Sequence, residues 1–573
     1  MYILGINSAY HESSACLLED GKIVAAVEEE RFTRQKHAKP ARVDNPDDLP
    51  VHAINYCLRQ AGITIADVDH IGFSLSPQLR LKNTEFGDAV EQNSWGSKAG
   101  ETVFFRKLLL VPEKLRALGF KGKFSWIEHH VCHAASAFYP SPFEEAAVLT
   151  VDGIGEISST AFAYGNGRKL KTLEEILYPH SLGFLWEKIC KFMGYTDYDA
   201  CKVMSLASFA TPERFRYAFE RLVQPAPEGR FTVANDLLNF RVEEYAALEE
   251  LFRVKRREKG EPLEPVHYEI AASLQEVTNE LVLHLVNYIH EKTGSENLCM
   301  AGGVVLNCVT NTIIYERGPF RNLYIQPAAN DAGTAVGAAS FIWNAVLGNE
   351  ERAVVEHPYL GTSFSDEEIE QALRQGGLVY ERVENIEAVV AELLSRKKIV
   401  GWFQGAMEFG PRALGNRSLL ADPRDAEMQG ILNTRIKHRE TYRPFAPSIL
   451  AEEADKWFEI RKPTPASDFM LMAYPVRPEQ QDAIPAVIHV DNTSRIQTVR
   501  KENNARYYKL ISEFFKLTGV PIVLNTSFND NEPIVSTPQH AVETFKHTEI
   551  DYLAIGDFLI DRMKQSSAAL KAA

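Results

Sequence analysis

His129 and His133 stand four residues apart in EHHVCHAASAF. On a helix that spacing puts both imidazoles on one face, where they can ligate one divalent metal or simply pack. Asp331, in PAANDAGTAVGAA, follows a polar strand end at Asn330 and precedes a run of small residues. It can supply a hard third ligand or cap a helix N-terminus. Asp152, in TVDGIGE, ends an apolar run, and Gly153 and Gly155 leave the backbone free to wrap an anion. Gly302 and Gly303, in AGGVVLN ending at Asn307, remove side chains where a planar nucleoside could lie, or mark a tight turn.

The densest constellation comes later. Residues 405–424 read GAMEFGPRALGNRSLLADPR, followed by Lys437, Arg439, Glu440 and the RPFAP block at 443–447. Arg412, Arg417, Lys437 and Arg443 are cations on Gly- and Pro-rich loops, which do not need cations for packing. They suggest a polyanion pocket, with surface ion pairs to Asp422 and Glu440 as the alternative. LNTSFN at 524–529 follows a strand and adds amide and hydroxyl donors, among them Asn525 and Ser527.

The elements that must position these residues show an internal repeat. Ile3–Asn7 is an apolar run with a polar end, followed by Ser13-Ser14, Cys16–Leu18, a turn at Asp20-Gly21, and Lys22–Val27. Val148–Asp152 opens a second copy with Ser158-Ser159, Ala161–Ala163, a turn at Asn166-Gly167, and Lys169–Leu173. Each polar strand end lies six residues before its serine pair, and each copy closes with a hairpin-type turn. A β-loop-β unit used twice resembles the actin, hexokinase and heat-shock ATPase fold, which places nucleotide phosphates in its cleft.

Ile270, Leu274, Val277, Leu281, Leu285 and Tyr288 carry the helical period, and a strand at 298–301 follows. The polar stretch NAVLGNEERAVVEHPY predicts a domain boundary near residue 355. Beyond it a helix at 386–396, a strand at 399–403, a helix around 425–436 and a strand at 522–525 predict an α/β domain. The last ten residues, KQSSAALKAA, read as a frayed tail.

The 573 residues suffice for two large domains, and 45% hydrophobic with 24% charged residues describe an ordinary globular protein. The 62 Lys and Arg against 77 Asp and Glu give −15, which opposes phosphate backbones and anionic membranes. The basic run at 253–259 reads as a solvated helix end. Seven scattered cysteines without a CxxC pair predict reduced thiols in a cytoplasm. No export signal or membrane span is expected.

Over residues 1 to about 561 the chain resembles the NodU/CmcH-type O-carbamoyltransferases, which carbamoylate hydroxyls of antibiotics and nodulation factors. The resemblance is carried by HESSA at 11–15, EEERFTR at 28–34 with Lys36 and His37, HHVCH at 129–133, Asp152-Gly153, Gly302–Val304, Asn330-Asp331, MEFGPRALGNRS and RPFAP. It implies a TsaD-like ATPase-fold domain over 1–354, a YrdC-like α/β domain over 355–563, and a tail over 564–573. It implies that carbamoyl phosphate and ATP form carbamoyl adenylate in the second domain, and that this intermediate passes internally to the first, where an acceptor hydroxyl attacks it.

By the same resemblance, Arg412, Lys437, Arg443, Asn525 and Ser527 would hold the phosphates and carbamoyl group, with Arg417 beside them. His129, His133 and Asp331 would hold a divalent metal, Fe2+ in this family, with Mg2+ accompanying the nucleotide. Asp152 and Gly153 would lie near the phosphates, Gly302, Gly303, Asn307 and Asn330 near the nucleotide, and His11 would be the acceptor-side base. The implied acceptor is a hydroxylated small molecule, with no nucleic-acid or membrane partner and a homodimer as the default assembly. One segment departs: the family's KVMGLAPYG reads KVMSLASFA at 202–210. The competing functions are tRNA threonylcarbamoyl transfer, which the acidic charge opposes, and a non-catalytic nucleotide-binding protein, which would leave the cations unexplained.

Overall fold

The computed structural model describes residues 1–87 and 90–571, and these form two compact units. The first comprises Met1–Glu30 and His37–Val355; the second comprises Arg31–Lys36 and everything from Glu356 on. The second unit thus includes six residues from the far N-terminal part of the chain.

In the first unit, β1 (Tyr2–Asn7), β2 (Ser14–Glu19), β3 (Lys22–Glu28), β4 (His70–Phe73) and β5 (Lys123–Trp126) form a sheet ordered β3-β2-β1-β4-β5. A second sheet holds β6 (Glu145–Val151), β7 (Ser158–Asn166) and β8 (Lys169–Leu177). A separate hairpin, β9 (Val223–Ala226) with β10 (Arg230–Val233), precedes the last strands of that sheet, β11 (Asn297–Ala301) and β12 (Asn322–Ile325). Its order is β12-β11-β6-β7-β8. Read from the other edge, this is the order of the first sheet. In both, an antiparallel three-strand meander is extended by two parallel strands.

That duplicated mixed sheet is the actin/hexokinase-like ATPase fold. The first strand of each copy is central and nearly continuous in apolar residues, as a strand covered on both faces must be. The first meander turns at Asp20-Gly21 as expected; the second turns one residue later than expected, at Gly167-Arg168, because Asn166 still pairs with Lys169. The helix predicted from the 270–288 periodicity spans Pro265–Thr293 and stops at Gly294, whose φ is +65°.

Two helices deliver the site. His129–Phe138 connects β5 to β6, and Thr334–Phe341 lies against it and over β1. Gly337 makes the approach: a Cβ there would sit 1.8 Å from the Cys132 carbonyl oxygen.

The second unit is built on one mixed sheet. Its strands are β13 (Glu381–Arg382), β14 (Val400–Phe403), β15 (Arg417–Ala421), β16 (Ala446–Leu450), β17 (Met472–Pro475), β18 (Thr493–Val499), β19 (Ile522–Ser527), β20 (Tyr552–Ile555) and β21 (Phe558–Asp561). The order is β13-β21-β20-β14-β15-β19-β16-β18-β17. Helices Ile386–Ser395 and Ala505–Thr518 pack on each other. β15 and β19 run antiparallel in mid-sheet with Ser418 opposite Ser527, so both cation-bearing motifs emerge from adjacent strands.

Three local expectations change. The 425–436 helix begins at Met428 and is regular only to Ile431. The divergent 202–210 segment lies largely in helix: Ala200–Leu206 is helical and a short 3-10 turn follows over Ala207–Phe209. Ser567–Lys571 of the tail is helical, while residues 572 and 573 lie outside the described residues. The basic run does follow a helix, Ala246–Phe252. It is committed internally: Arg256 lies 4.4 Å from the Tyr245 ring, and Arg257 donates to the Met193 carbonyl at 2.6 Å. The seven cysteines are free, and among the described residues no helix is long and apolar enough to cross a membrane.

Candidate functional site

Four side chains converge in the first unit. His129 Nε2 lies 3.1 Å from His133 Nε2, 3.4 Å from Asp152 Oδ2 and 3.5 Å from Asp331 Oδ1. His133 Nε2 is 3.5 Å from each of the same carboxylate oxygens. A regular tetrahedron with edges of about 3.4 Å has its centre about 2.1 Å from each vertex, the reach of imidazole nitrogen and carboxylate oxygen to a divalent transition metal. The two carboxylates balance the charge of such an ion. The donors present therefore fit the metal expected from the sequence, and they include Asp152, which the sequence had placed beside phosphates.

The surroundings orient the set. Glu156 accepts hydrogen bonds from the His129 amide at 3.1 and 3.2 Å and from the Ser76 amide at 2.6 Å, pinning the first turn of the helix. His129 Nδ1 lies 3.2 Å from the Ser74 carbonyl oxygen; donating there leaves the Nε2 lone pair facing the cage. Burial alone would lower the His129 pKa, but Asp331 and Asp152 outweigh it and raise it well above the usual histidine value. Asp152 is held well below its usual range: burial opposes its charge, and the two histidines overcome that. His130, between the two, is pushed down to about 3 by burial and by its neighbours His129 and His133. It makes contacts with Thr150 Oγ1 at 2.7 Å and the Ser158 carbonyl at 2.8 Å, a packing role.

Asp152 also joins the cage to the glycine loop. Its Oδ1 accepts the Gly303 amide at 2.8 Å. Gly302 has φ +106°, and a Cβ there would lie 2.2 Å from the Val151 carbonyl, so only glycine brings this loop onto the end of β6. Asn307 is committed to the fold: it caps Cys308–Arg317 through the Thr310 amide and donates to Gln275 Oε1 at 2.9 Å. Asn330 differs, since its buried Oδ1 has no partner among the described residues.

His11 sits in the loop that follows β1, its Nδ1 buried without a hydrogen-bond partner among the described residues and its ring edge-on to Tyr198 at 5.5 Å. Asn7, the counterpart of Asp152, holds this loop by donating to the His11 and Glu12 carbonyls at 3.1 and 3.0 Å. Tyr10 is the loop residue packed on the His129 ring. Sequence reasoning missed Glu187, a partly buried carboxyl 4.0 Å from the Cβ position of Gly153. Burial, then Asp197 and Asp152, push its pKa up to about 8. No motif marks it, because a single Glu in the amphipathic helix Leu182–Phe192 looks like a solvated residue.

In the second unit the expected cations separate. Lys437 is buried and its Nζ donates to the Ser527 carbonyl at 2.5 Å, the Asn529 carbonyl at 2.8 Å and Asn529 Oδ1 at 2.6 Å. Burial, then the charges of Arg439 and Arg443, hold its pKa well below the lysine norm. Lys437 and Ser527 thus form one group, within electrostatic reach of Arg439 and Arg443. Arg417 belongs elsewhere. Its guanidinium lies 3.7 Å over the Phe403 ring and donates to the carbonyls of Gln404, Asn416, Thr362 and Gly405 at 2.5 to 3.2 Å. It solvates and ties together turns of the chain instead of facing a polyanion, a correction to the sequence expectation.

Asn525 Nδ2 bonds Ser448 and Gln497 at 3.0 Å and the Ala413 carbonyl at 3.2 Å, leaving its Oδ1 buried without a partner among the described residues. Arg412 lies in the 405–416 loop, whose shape is set by Glu408: one carboxylate oxygen accepts from the amides of Leu414, Asn416 and Arg417. Glu408, like Glu156, was not singled out from the sequence, since a buried carboxylate serving backbone amides leaves no spacing signal.

The molecule thus joins a duplicated ATPase fold carrying four donors that could hold a metal to a cation-bearing α/β unit. The carbamoyltransferase N-terminus family model matches residues 2–340, and the carbamoyltransferase C-terminus model matches 391–562. The chain belongs to the carbamoyltransferase family and is a carbamoyltransferase. It is 41% identical to the uncharacterized protein sll1178 of Synechocystis sp., over 98% of this chain and 97% of that protein. It is 37% identical to nodulation protein NolNO of Sinorhizobium fredii, over 98% of this chain and 80% of that one. Component A of (R)-2-hydroxyglutaryl-CoA dehydratase from Acidaminococcus fermentans covers 61% of this chain and 99% of its own at 14% identity and a TM-score of 0.33. The fold assignment rests on the strand orders, not on that match.

Proposed function

We propose that the protein is an ATP-dependent O-carbamoyltransferase acting on a hydroxyl of a small-molecule natural product. The observation that carries this is the His129, His133, Asp152 and Asp331 cage, tied through the Gly303 amide to a glycine loop in an ATPase fold. In the second, YrdC-like unit, water converts carbamoyl phosphate to carbamate and phosphate. A carbamate oxygen then attacks the α-phosphorus of ATP, giving carbamoyl adenylate and pyrophosphate. Arg412, Lys437, Arg443, Asn525 and Ser527 hold the phosphates and carbamoyl group and offset developing negative charge.

In the first unit the acceptor hydroxyl oxygen attacks the carbamoyl carbon, AMP leaves, and the hydroxyl proton passes to His11, whose Nδ1 has no partner among the described residues. A divalent metal, Fe2+ by resemblance, would be held by His129, His133, Asp152 and Asp331 and would supply a Lewis acid for nucleotide oxygens. Mg2+ would accompany ATP in the second unit. Asn330 and the Gly302-Gly303 loop orient the nucleotide, and Gly153 leaves room for it.

The test is pyrophosphate release from ATP with and without carbamoyl phosphate, in the absence of acceptor. Release that depends on carbamoyl phosphate is the expected result. Equal release in both cases, or none in either, would sink the adenylate route.

A further inference from the structure

The EEERFTR motif has no role in the reaction just described, yet it holds the residues that enter the second unit. Arg31 and Arg34 belong to that unit, whereas Glu30 and His37 on either side belong to the first. The root of the excursion is closed within the first unit: the His37 amide donates to Glu30 Oε2 at 2.7 Å, and the Glu12 amide donates to the His37 carbonyl at 2.8 Å.

Within the second unit both arginines grip backbone. Arg31, 2% exposed, donates from Nη2 to the Gly410 carbonyl at 2.8 Å. Arg34 donates to the Ile534 carbonyl at 2.8 Å and the Pro533 carbonyl at 2.6 Å. These carbonyls lie on two different loops, 405–416 and 528–536. The loops share one apolar cluster of Met407, Ala413 and Ile534. The second loop also carries the groups that fix Lys437: Asn529 accepts from Lys437 Nζ at 2.6 Å and donates to the Glu532 carbonyl at 2.6 Å, one residue before Pro533.

A buried guanidinium is stable only with its donors satisfied, and backbone carbonyls satisfy it without neutralising its charge. Arg31 is buried in this way, whereas Arg34 is partly exposed and also lies 3.9 Å from Glu532 Oε1; together, on one six-residue segment, they hold two loops in register. We propose that Arg31 and Arg34 are positioning residues of the carbamoyl-phosphate site, a latch from the N-terminal part of the chain that fixes the Arg412 loop against the Asn529 loop holding Lys437. The proposal rests on the reading that carbamoyl phosphate is activated in the second unit.

The test uses the full-length enzyme. Arg34→Ala is expected to raise the KM for carbamoyl phosphate about tenfold or more in pyrophosphate release, because small misplacements of binding groups cost this much. Arg34→Lys, which keeps one charged donor, should recover part of it. Hydrogen–deuterium exchange should accelerate in 405–416 and 528–536, with bound metal and exchange in 129–138 as in wild type. Arg31→Lys should act in the same direction. Unchanged KM and unchanged exchange in both loops would overturn the latch. So would an activity loss that merely follows a drop in melting temperature and is not relieved by Arg34→Lys. A wild-type enzyme that releases no pyrophosphate on carbamoyl phosphate would refute the functional reading instead, and the exchange comparison alone would then decide the latch.

Discussion

The two candidate sites solve opposite electrostatic problems. In the first unit, two carboxylates and two imidazoles are packed within about 3.5 Å contacts among buried apolar residues, and the excess negative charge calls for a cation. In the second, buried Lys437 and Arg417 are surrounded by backbone carbonyls instead of carboxylates, so their charge is solvated without being cancelled. A cage of that first kind selects one ion at one point. Cations held by dipoles leave positive potential for an anion, and only those not wrapped on every side can meet it.

The largest expected effects separate the two sites. Asp331→Ala should strip bound metal and lower carbamoyl transfer by more than about 100-fold, since even residues behind a ligand cost about 10–100-fold. Carbamoyl-phosphate-dependent pyrophosphate release should persist. Elemental analysis showing full metal content would refute the ligand assignment. Lys437→Ala should do the reverse, lowering pyrophosphate release by about 10²–10³-fold while transfer from supplied carbamoyl adenylate survives. Equal loss of both steps in either variant would erase the distinction.

Arg417 sharpens the comparison among the cations. Arg417→Met leaves several carbonyls without donors and should cost about 3 kcal/mol of stability. Protein that remains folded should keep its KM for carbamoyl phosphate. A raised KM without loss of stability would return Arg417 to the anion site.

The smallest effect concerns His540. Burial, then the charge of Arg34, lowers its pKa from 6.5 to about 4, so the unfolded chain takes up a proton that the native one refuses. Its contribution to stability is complete above pH 6.5 and is lost as pH falls toward 4. His540→Gln should flatten the pH dependence of the urea midpoint across that window. An unchanged slope would show that other groups carry it.

Much of the first unit was legible in the chain because its signals are local. The repeated strand, polar end, serine pair and Asp-Gly or Asn-Gly turn follow from φ/ψ preferences and alternation over a few residues. The i, i+4 histidines needed only a helix to share a face. Asp152 was legible as a strand end but not as a fourth donor, because that depends on where β6 ends relative to a helix 20 residues earlier. Asn7, its counterpart, shows that an identical place in the repeat can hold a loop instead of joining a cluster of donors.

The second unit was less legible. A run of arginines and glycines announces a charged loop, but which cation faces solvent and which is wrapped by carbonyls is decided by β-sheet register between residues more than 100 apart. Arg417 is buried because β15 lies between β14 and β19, and nothing within its own motif says so. The same holds for Arg31 and Arg34, whose motif was visible while its contacts, some 380 and 500 residues downstream, were not. What the amino-acid order determined by itself was the set of local elements and the chemical types available. Tertiary structure decided which of those groups share a site, because a site is a coincidence of distant backbone positions that no local rule encodes.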